Sequence, residues 1–479
     1  MAAKYHGEGH HHFLMVILAA QGHINPARHL ARRLARTAEA RVTIANPLSS
    51  HRRLFPSSSA SAGEPDENAE EAPLDPNGSG VVAYSPYSDG FDDHDRLDNI
   101  DPDLLMERLK TNGSQTLANL ARNLAARGRP VTCLLYTIIL SWTADIARDL
   151  GIPAVHYWIQ PASVFAIYYH YFHAHPGFSF VSTDGNDSSH AIELPGLPPL
   201  RNKDLPSIIT NPNAFLNGHM DVFNELGKTK KPMVLFNTFH QLESEAIDGI
   251  QGLELFTIGP TGNKNYMPEV VGSRDLFVED KGGYMEWLEA QEERSVVYVA
   301  FGSMSRMTGR QVKEMYLGLK ESGLPYLWVL RKDSRPEGVE VEMDLKDKKG
   351  IVVEWCSQVR VLEHKAVGGF VTHCGWNSMC EAVVSGVPMV MLPQWIDQMT
   401  NARLAEMVWG IGVTVEAGED GILEAAELRR GLDAVMGEGD CAVGIRRKVE
   451  GWKEKARAAL AEEGSSGRNL KAFVSSLCE

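Results

Sequence analysis

The chain has no CxxC motif and no paired cysteine spacing; its six cysteines stand at 133, 356, 374, 380, 441 and 478. That excludes a disulfide framework and reads as reduced thiols in the cytosol. Long apolar runs are missing too. The longest early one, Phe13 to Ala20, is too short to span a bilayer, and nothing around it has signal-peptide architecture. Positive charge is in deficit: Lys+Arg 47 against Asp+Glu 62 gives a net charge of −15. Neither nucleic acid nor an anionic membrane would be attracted by that field, so both are set aside as main partners. No G-x-G-x-x-G follows any strand-like run, which argues against a nicotinamide dehydrogenase.

What is present is a globular composition, 43% hydrophobic and 23% charged, on 479 residues. A chain of that length exceeds one ordinary core, so two or three domains are expected. Short β-rich runs alternate with amphipathic helices, the pattern of parallel α/β domains. Strands are expected at 13–20, 41–46, 131–136, 152–158 and 233–237, then at 295–302, 325–330, 351–355, 367–372, 387–392 and 411–415. Helices are expected at 442–462 and 466–478. Segments 56–80, 181–191 and 335–349 are poor in apolar residues and read as loops. "GPTGNKNYMPEVVGSRD", 259–275, reads as an interdomain linker.

One stretch carries most of the chemistry: "WCSQVRVLEHKAVGGFVTHCGWNSMCEAVVSGVPMVMLPQWIDQ", Trp355 to Gln398. Within it, "GGFVTHCGWNSMCEAVVSG" reads as strand, tight loop and helix, the helix starting near Asn377–Ser378. A helix N-terminus at the C-terminal edge of a parallel sheet is an anion site, and His373, Asn377 and Ser378 would add donors. By spacing alone, Ser378 and Glu381 also fit a capping box. Trp355 ends a strand at the same edge, where its face can stack on a base with Gln358 nearby. Asp397 and Gln398 follow another strand; a carboxylate beside an amide suits sugar hydroxyls, and the pair equally fits the N-cap region of a helix. No single feature decides. Three successive strand ends bringing aromatic, anion-binding and hydroxyl-binding groups to one edge do.

On these residues, with "AAQGHINP" near the start and "FGS" at 301–303, the chain resembles the plant family 1 UDP-sugar glycosyltransferases along its whole length. The resemblance implies an α/β protein of GT-B architecture. An acceptor-binding Rossmann-like domain would span 1–255 and a linker 256–278. A UDP-sugar-binding Rossmann-like domain would span 279–455, with a helix at 456–479 returning to the first. It implies that Trp355 stacks on uracil, that the Cys356 backbone pairs with it, and that Gln358 lies near the ribose. Glu381 would hold the ribose hydroxyls, and His373, Asn377, Ser378 and Ser303 the diphosphate. Trp376, Asp397 and Gln398 would contact the sugar, Gln398 resembling the glucose-using members. No bound cofactor is implied, only UDP-glucose as co-substrate, and no metal. "DHD" (93–95) and "DPD" (101–103) mimic a metal-binding Asp-x-Asp but lie in an acidic, irregular stretch.

The resemblance also gives a role to the histidine in "QGHINP". Gly22 would turn the chain, Asn25 would cap, and Pro26 would open the helix. His23 would then reach the cleft as general base for an inverting transfer. One position departs from the family: where an Asp usually orients that histidine, "VTCLLYTIILSW" has Thr137, which hydrogen-bonds an imidazole without stabilising imidazolium. Asp145 belongs to the next helix, and Asp89 is a weak substitute in the cleft. A weaker base suits an acidic acceptor. "WIQPASVFAIYYHYF" (158–172) resembles a subgroup that makes anthocyanin 5-O-glucosides and glucose esters, and Trp158 and Tyr168 from it, with Gly22 and Asp89, are expected to line an acceptor pocket. The expected function is glucosylation of a flavonoid or other phenolic. Glucose-ester formation on a carboxylic acid is the alternative, and a catalytically impaired UDP-sugar-binding protein the third reading. The partner is a small molecule, the compartment cytoplasmic, and nothing demands more than a monomer.

Overall fold

The computed structural model describes residues 11–71, 80–93, 100–181, 191–261, 275–277, 279–280, 282–334 and 349–478. The first half forms β1 (His12–Val16), β2 (Arg41–Pro47), β3 (Val81–Tyr87), β4 (Cys133–Tyr136), β5 (Ala154–Trp158), β6 (Met233–Phe236) and β7 (Glu254–Thr257). They build one seven-stranded sheet in the order β3-β2-β1-β4-β5-β6-β7. The second half forms β8 (Val296–Ala300), β9 (Tyr326–Val329), β10 (Gly350–Val353), β11 (Val367–Thr372), β12 (Met389–Met391) and β13 (Gly412–Thr414). These make a six-stranded sheet in the order β10-β9-β8-β11-β12-β13. Neighbours pair in parallel throughout, as in β1 with β4 and β8 with β11.

The continuous apolar runs follow from burial on both faces. Along β1, Phe13 and Met15 enter one core while Leu14 and Val16 enter the other. Along β8, Val297 and Val299 face one core, and Val296, Tyr298 and Ala300 the opposite one. Two doubly wound sheets facing one another are the GT-B arrangement. Every expected strand is present, with β3 and β7 in addition. The C-terminal helix Ser465–Ser476 packs on the first sheet: Phe473 is fully buried between Phe13 and Phe256, and Asn469 Nδ2 donates to Thr257 O at 3.0 Å.

The first helix departs from expectation. It runs Gln21–Thr37, so Gly22 and His23 lie in its first turn rather than before it. Ala20 is the N-cap residue with no side-chain cap, and Asn25 instead accepts from Gln21 Nε2 at 2.6 Å. Pro26 falls inside the helix and has no N–H for the carbonyl of Gly22. Asn377 Nδ2, from the other half of the molecule, donates to that carbonyl at 2.8 Å. The missing helical hydrogen bond thus becomes a tie between the halves.

Candidate active site

In a doubly wound sheet, ligands bind beyond the strand C-termini where the strand order reverses. Here the first sheet reverses between β1 and β4, and the second between β8 and β11. His23 follows β1 and Thr137 follows β4; Ser303 follows β8 and His373 follows β11. The two reversal points face one cavity of about 890 Å³. His23, Ser303, Trp355, Cys356, Gln358, His373, Trp376, Asn377, Ser378, Glu381, Asp397 and Gln398 all line it, as does Gly22.

His23 Nδ1 lies 3.0 Å from the hydroxyl of Thr137, a side chain with no solvent exposure. Burial pushes the His23 pKa down to about 4. No carboxylate opposes that shift, and the first turn of a helix also disfavours imidazolium. The ring is therefore neutral near pH 7. For it to act as a base through Nε2, Nδ1 must carry the hydrogen and donate to Thr137 Oγ1.

On the opposite wall, His373 is held between two glycines. A Cβ on Gly302 would fall 2.7 Å from His373 Nε2, and one on Gly375 2.5 Å from it. Burial first, and Arg331 second, lower the His373 pKa to about 4. Arg331 braces the adjoining loop, donating to the carbonyls of Gly302 and Ser305. The neighbouring helix runs Trp376–Ser385 and is N-capped by Gly375 without a side-chain bond, so its first-turn N–H groups have no side-chain cap. Ser378 is inside this helix, and the capping-box reading of Ser378 and Glu381 is set aside. Their oxygens accept instead from Gln358 Nε2, at 2.9 and 2.7 Å. Burial raises the Glu381 pKa to about 7.

Gln398 Oε1 accepts from the backbone N–H of Gln394 and Trp395, at 2.9 and 3.2 Å, so its Nε2 is the end left for a ligand. Asp397 sits at an N-cap position without capping; it accepts from Asn401 Nδ2 at 2.7 Å. Burial raises its pKa to about 6. Two residues are occupied differently from expectation. Trp376 Nε1 donates to Asn237 O at 2.8 Å, and its ring is buried beside that of Trp409. Asn377, expected at the diphosphate, uses its amide to bridge Gly22 and Asn237. Trp355 has Phe277 stacked on it at 4.4 Å and donates to Asp275 at 3.4 Å.

Three expected acceptor-pocket residues are not on the cavity wall. Trp158 and Tyr168 are fully buried core, packed edge-on to one another, with the indole N–H bonded to Pro161 O. Tyr168 belongs to helix Ala162–Phe172, which lies between the sheet and helix Ala214–Lys228, so its aromatic faces meet protein on both sides. Asp89 is fully buried and accepts from Phe91 N in its own turn. Ile138, Ile159, Gln160 and Trp395 line this side instead. Ile159 and Gln160 directly follow β5, and the strand-end logic that picked Trp355 would have found them. Of the Asp-x-Asp mimics, Asp101 caps helix Pro102–Ala126 through the N–H of Asp103 and Leu104. Asp93 ion-pairs with Arg52 while 94–95 lie outside the described residues.

A model of the family described as UDP-glucoronosyl and UDP-glucosyl transferase matches residues 278–439. The chain is 40% identical to crocetin glucosyltransferase, chloroplastic, of Gardenia jasminoides, over 97% of this chain and 96% of that protein. It is 37% identical to anthocyanidin 3-O-glucoside 5-O-glucosyltransferase 1 of Perilla frutescens, over 96% and 97% respectively. It is similar in fold to the solved structure of Os79 from O. sativa in complex with UDP. That match has a TM-score of 0.81 and 30% identity, and covers 97% of this chain and 100% of the other.

Proposed function

Because the chain belongs to the plant family 1 UDP-glycosyltransferases, we propose that it moves glucose from UDP-glucose to a phenolic oxygen with inversion. The enzyme is a UDP-glycosyltransferase of GT-B fold, and a UDP-sugar is its co-substrate. The observation that carries the finer reading is that His23 lines the cavity the donor residues line, with buried Thr137 behind it at 3.0 Å.

In the proposed mechanism, UDP-glucose lies along the second-half wall with its uracil on Trp355 and its ribose hydroxyls on Glu381. Asp397 and Gln398 hold the sugar. The acceptor enters from the first half, past Ile138 and Ile159. His23 Nε2 takes the acceptor's proton as its oxygen bonds to the anomeric carbon. The bond from that carbon to the diphosphate oxygen breaks, its electron pair leaving with UDP from the opposite face. His373 and the N–H groups at the start of helix Trp376–Ser385 are preorganised donors for the charge that develops there. We place the enzyme in the cytosol, a reading supported by six free cysteines, four of them buried.

A second reading has its own support. A histidine held near pKa 4 with only a hydroxyl behind it is a weak base, and a carboxylic acid needs little help to ionise. That favours glucose-ester formation as an alternative or additional activity. Purified enzyme, UDP-glucose and a panel of phenolics and aromatic acids will separate the two by mass spectrometry. A hexose adduct that survives mild alkali is the expected product; an adduct cleaved by alkali supports the ester. No adduct from either class would defeat both readings.

A further inference from the structure

Three strand-end loops of the second half pass through the left-handed region of backbone space beside the cavity, at Gly302 (φ 71°), Cys374 (φ 66°) and Ile396 (φ 56°). Glycine takes that conformation freely, whereas a β-branched residue does so only where its surroundings hold it. Cys374 is held from within its own half. Its N–H donates to Thr372 Oγ1 at 3.3 Å, and Asn401 Nδ2 donates to its carbonyl at 2.9 Å. Ile396 is held from across the cleft, by Ser207 of the first half. The Ile396 N–H donates to Ser207 Oγ at 2.7 Å, and the Ser207 N–H donates to the Ile396 carbonyl at 2.8 Å. Ser207 opens helix Ser207–Thr210, where a first-turn N–H has no intrahelical partner and is available for that bond. Four residues on, Thr400 Oγ1 donates to the carbonyl of Asp204 at 2.7 Å, a second fastening between the same two segments.

We propose that Ser207 is a positioning residue for the donor sugar: by holding Ile396 in its left-handed turn, it aims the next two residues, Asp397 and Gln398, at the hexose. The inference rests on the donor reading above, which places the sugar at those two side chains. It extends that reading to a first-half residue behind the cavity wall, which Trp395, Ile396, Asp397 and Gln398 line and Ser207 does not. A change of backbone angle at Ile396 would swing both side chains that follow it. Gln398 is the more exposed to such a change, because its Oε1 is already committed to the N–H groups of Gln394 and Trp395 across the same turn. Uracil, ribose and diphosphate are assigned to Trp355, Glu381 and His373, on other loops. The sugar can therefore be misplaced while the nucleotide stays held. Because the brace comes from the opposite half, the sugar clamp takes its shape only where the two halves meet.

The test compares the wild type with Ser207→Ala, which removes the hydroxyl, and Ser207→Thr, which keeps it. Binding of UDP, UDP-glucose and UDP-galactose is titrated for each; the two hexoses differ only in configuration at C4. The wild type is expected to prefer UDP-glucose. Ser207→Ala is expected to lose about threefold to tenfold in affinity for UDP-glucose, the range for one hydrogen bond, to narrow the preference between the hexoses, and to bind UDP as the wild type does. Ser207→Thr is expected to match the wild type. A Ser207→Ala protein that weakens for UDP and UDP-glucose alike would overturn the inference, as would one that keeps the full sugar preference or a Ser207→Thr protein as impaired as Ser207→Ala. Failure of the donor reading looks different: a wild type that binds UDP without distinguishing the two hexoses would defeat the placement of the sugar at Asp397 and Gln398, and this inference with it.

Discussion

His23→Ala lowers kcat/KM on a phenolic acceptor by about 10²–10⁴, with little change in UDP affinity. The range is that of a positioned general base, equivalent to about 3–5 kcal/mol of transition-state stabilisation. His23 stands on the first-half wall, while every residue assigned to uracil, ribose and diphosphate stands on the other, so the donor is held without it. The loss will depend on the acceptor. A phenol of ordinary acidity needs the imidazole and shows the larger drop. An aromatic acid arrives ionised and loses less than about tenfold. Steady-state kinetics on matched phenol and acid acceptors, with UDP binding measured alongside, check both halves. An equal fall for both acceptor classes would contradict the base role and point to lost packing in the first turn of helix Gln21–Thr37.

The second large effect is loss of stability in acid. Burial holds His12, His23, His219 and His373 near pKa 4 and His156 near 3, against 6.5 for the free side chain. Between those values the unfolded chain binds these protons and the folded chain does not, so stability is full above pH 6.5 and falls as pH drops toward 4. Three buried carboxylates act the other way, Glu243 among them, its carboxyl raised by burial. Glu381, near 7, and Asp397, near 6, take up protons more readily folded than unfolded, so their contribution is largest in acid and is lost as pH rises through those values. With His11, His29, His51 and His170 also lowered by burial, nine imidazoles against three carboxylates leave the histidines dominant. The net loss from pH 7 to 5 is on the order of several kcal/mol, comparable with the whole stability of a typical fold. Denaturant titrations without UDP at pH 7, 6 and 5 should show the midpoint falling steeply. A midpoint unchanged from pH 7 to 5 would contradict these burials.

How much of this was legible beforehand depended on whether the signal was local. The strand at Phe13–Val16 was readable because both its faces are apolar, and the box at 355–398 because strand ends and helix starts recur there in chemistry-bearing pairs. β3 was missed because "VVAYSPY" carries a proline and a serine beyond a polar stretch. β7, "ELFT", is four residues long and shows no period. The start of the first helix was misplaced because Pro26 suits a first turn; only a long-range partner, Asn377, lets it sit deeper. Trp158 and Tyr168 read as pocket because aromatic residues at helical spacing look alike in a core and on a wall. The helix that covers them, Ala214–Lys228, comes some fifty residues later in the chain. Thr137 was legible as a departure, and its hydroxyl lies 3.0 Å from His23 Nδ1 without bringing a charge there.

The most direct measurement is the pH dependence of kcat/KM on one phenolic acceptor for the wild type and Thr137→Asp side by side. In the wild type the acid limb belongs to an imidazole near pKa 4, so activity should hold down to about pH 5 as far as stability permits. A carboxylate in place of the hydroxyl favours imidazolium and raises that pKa, by about 1–3 units. The limb should then move up toward neutrality, and turnover of an alcohol acceptor should rise with the stronger base. Superimposable profiles, with no gain on an alcohol, would contradict the claim that His23 backed by Thr137 carries the proton.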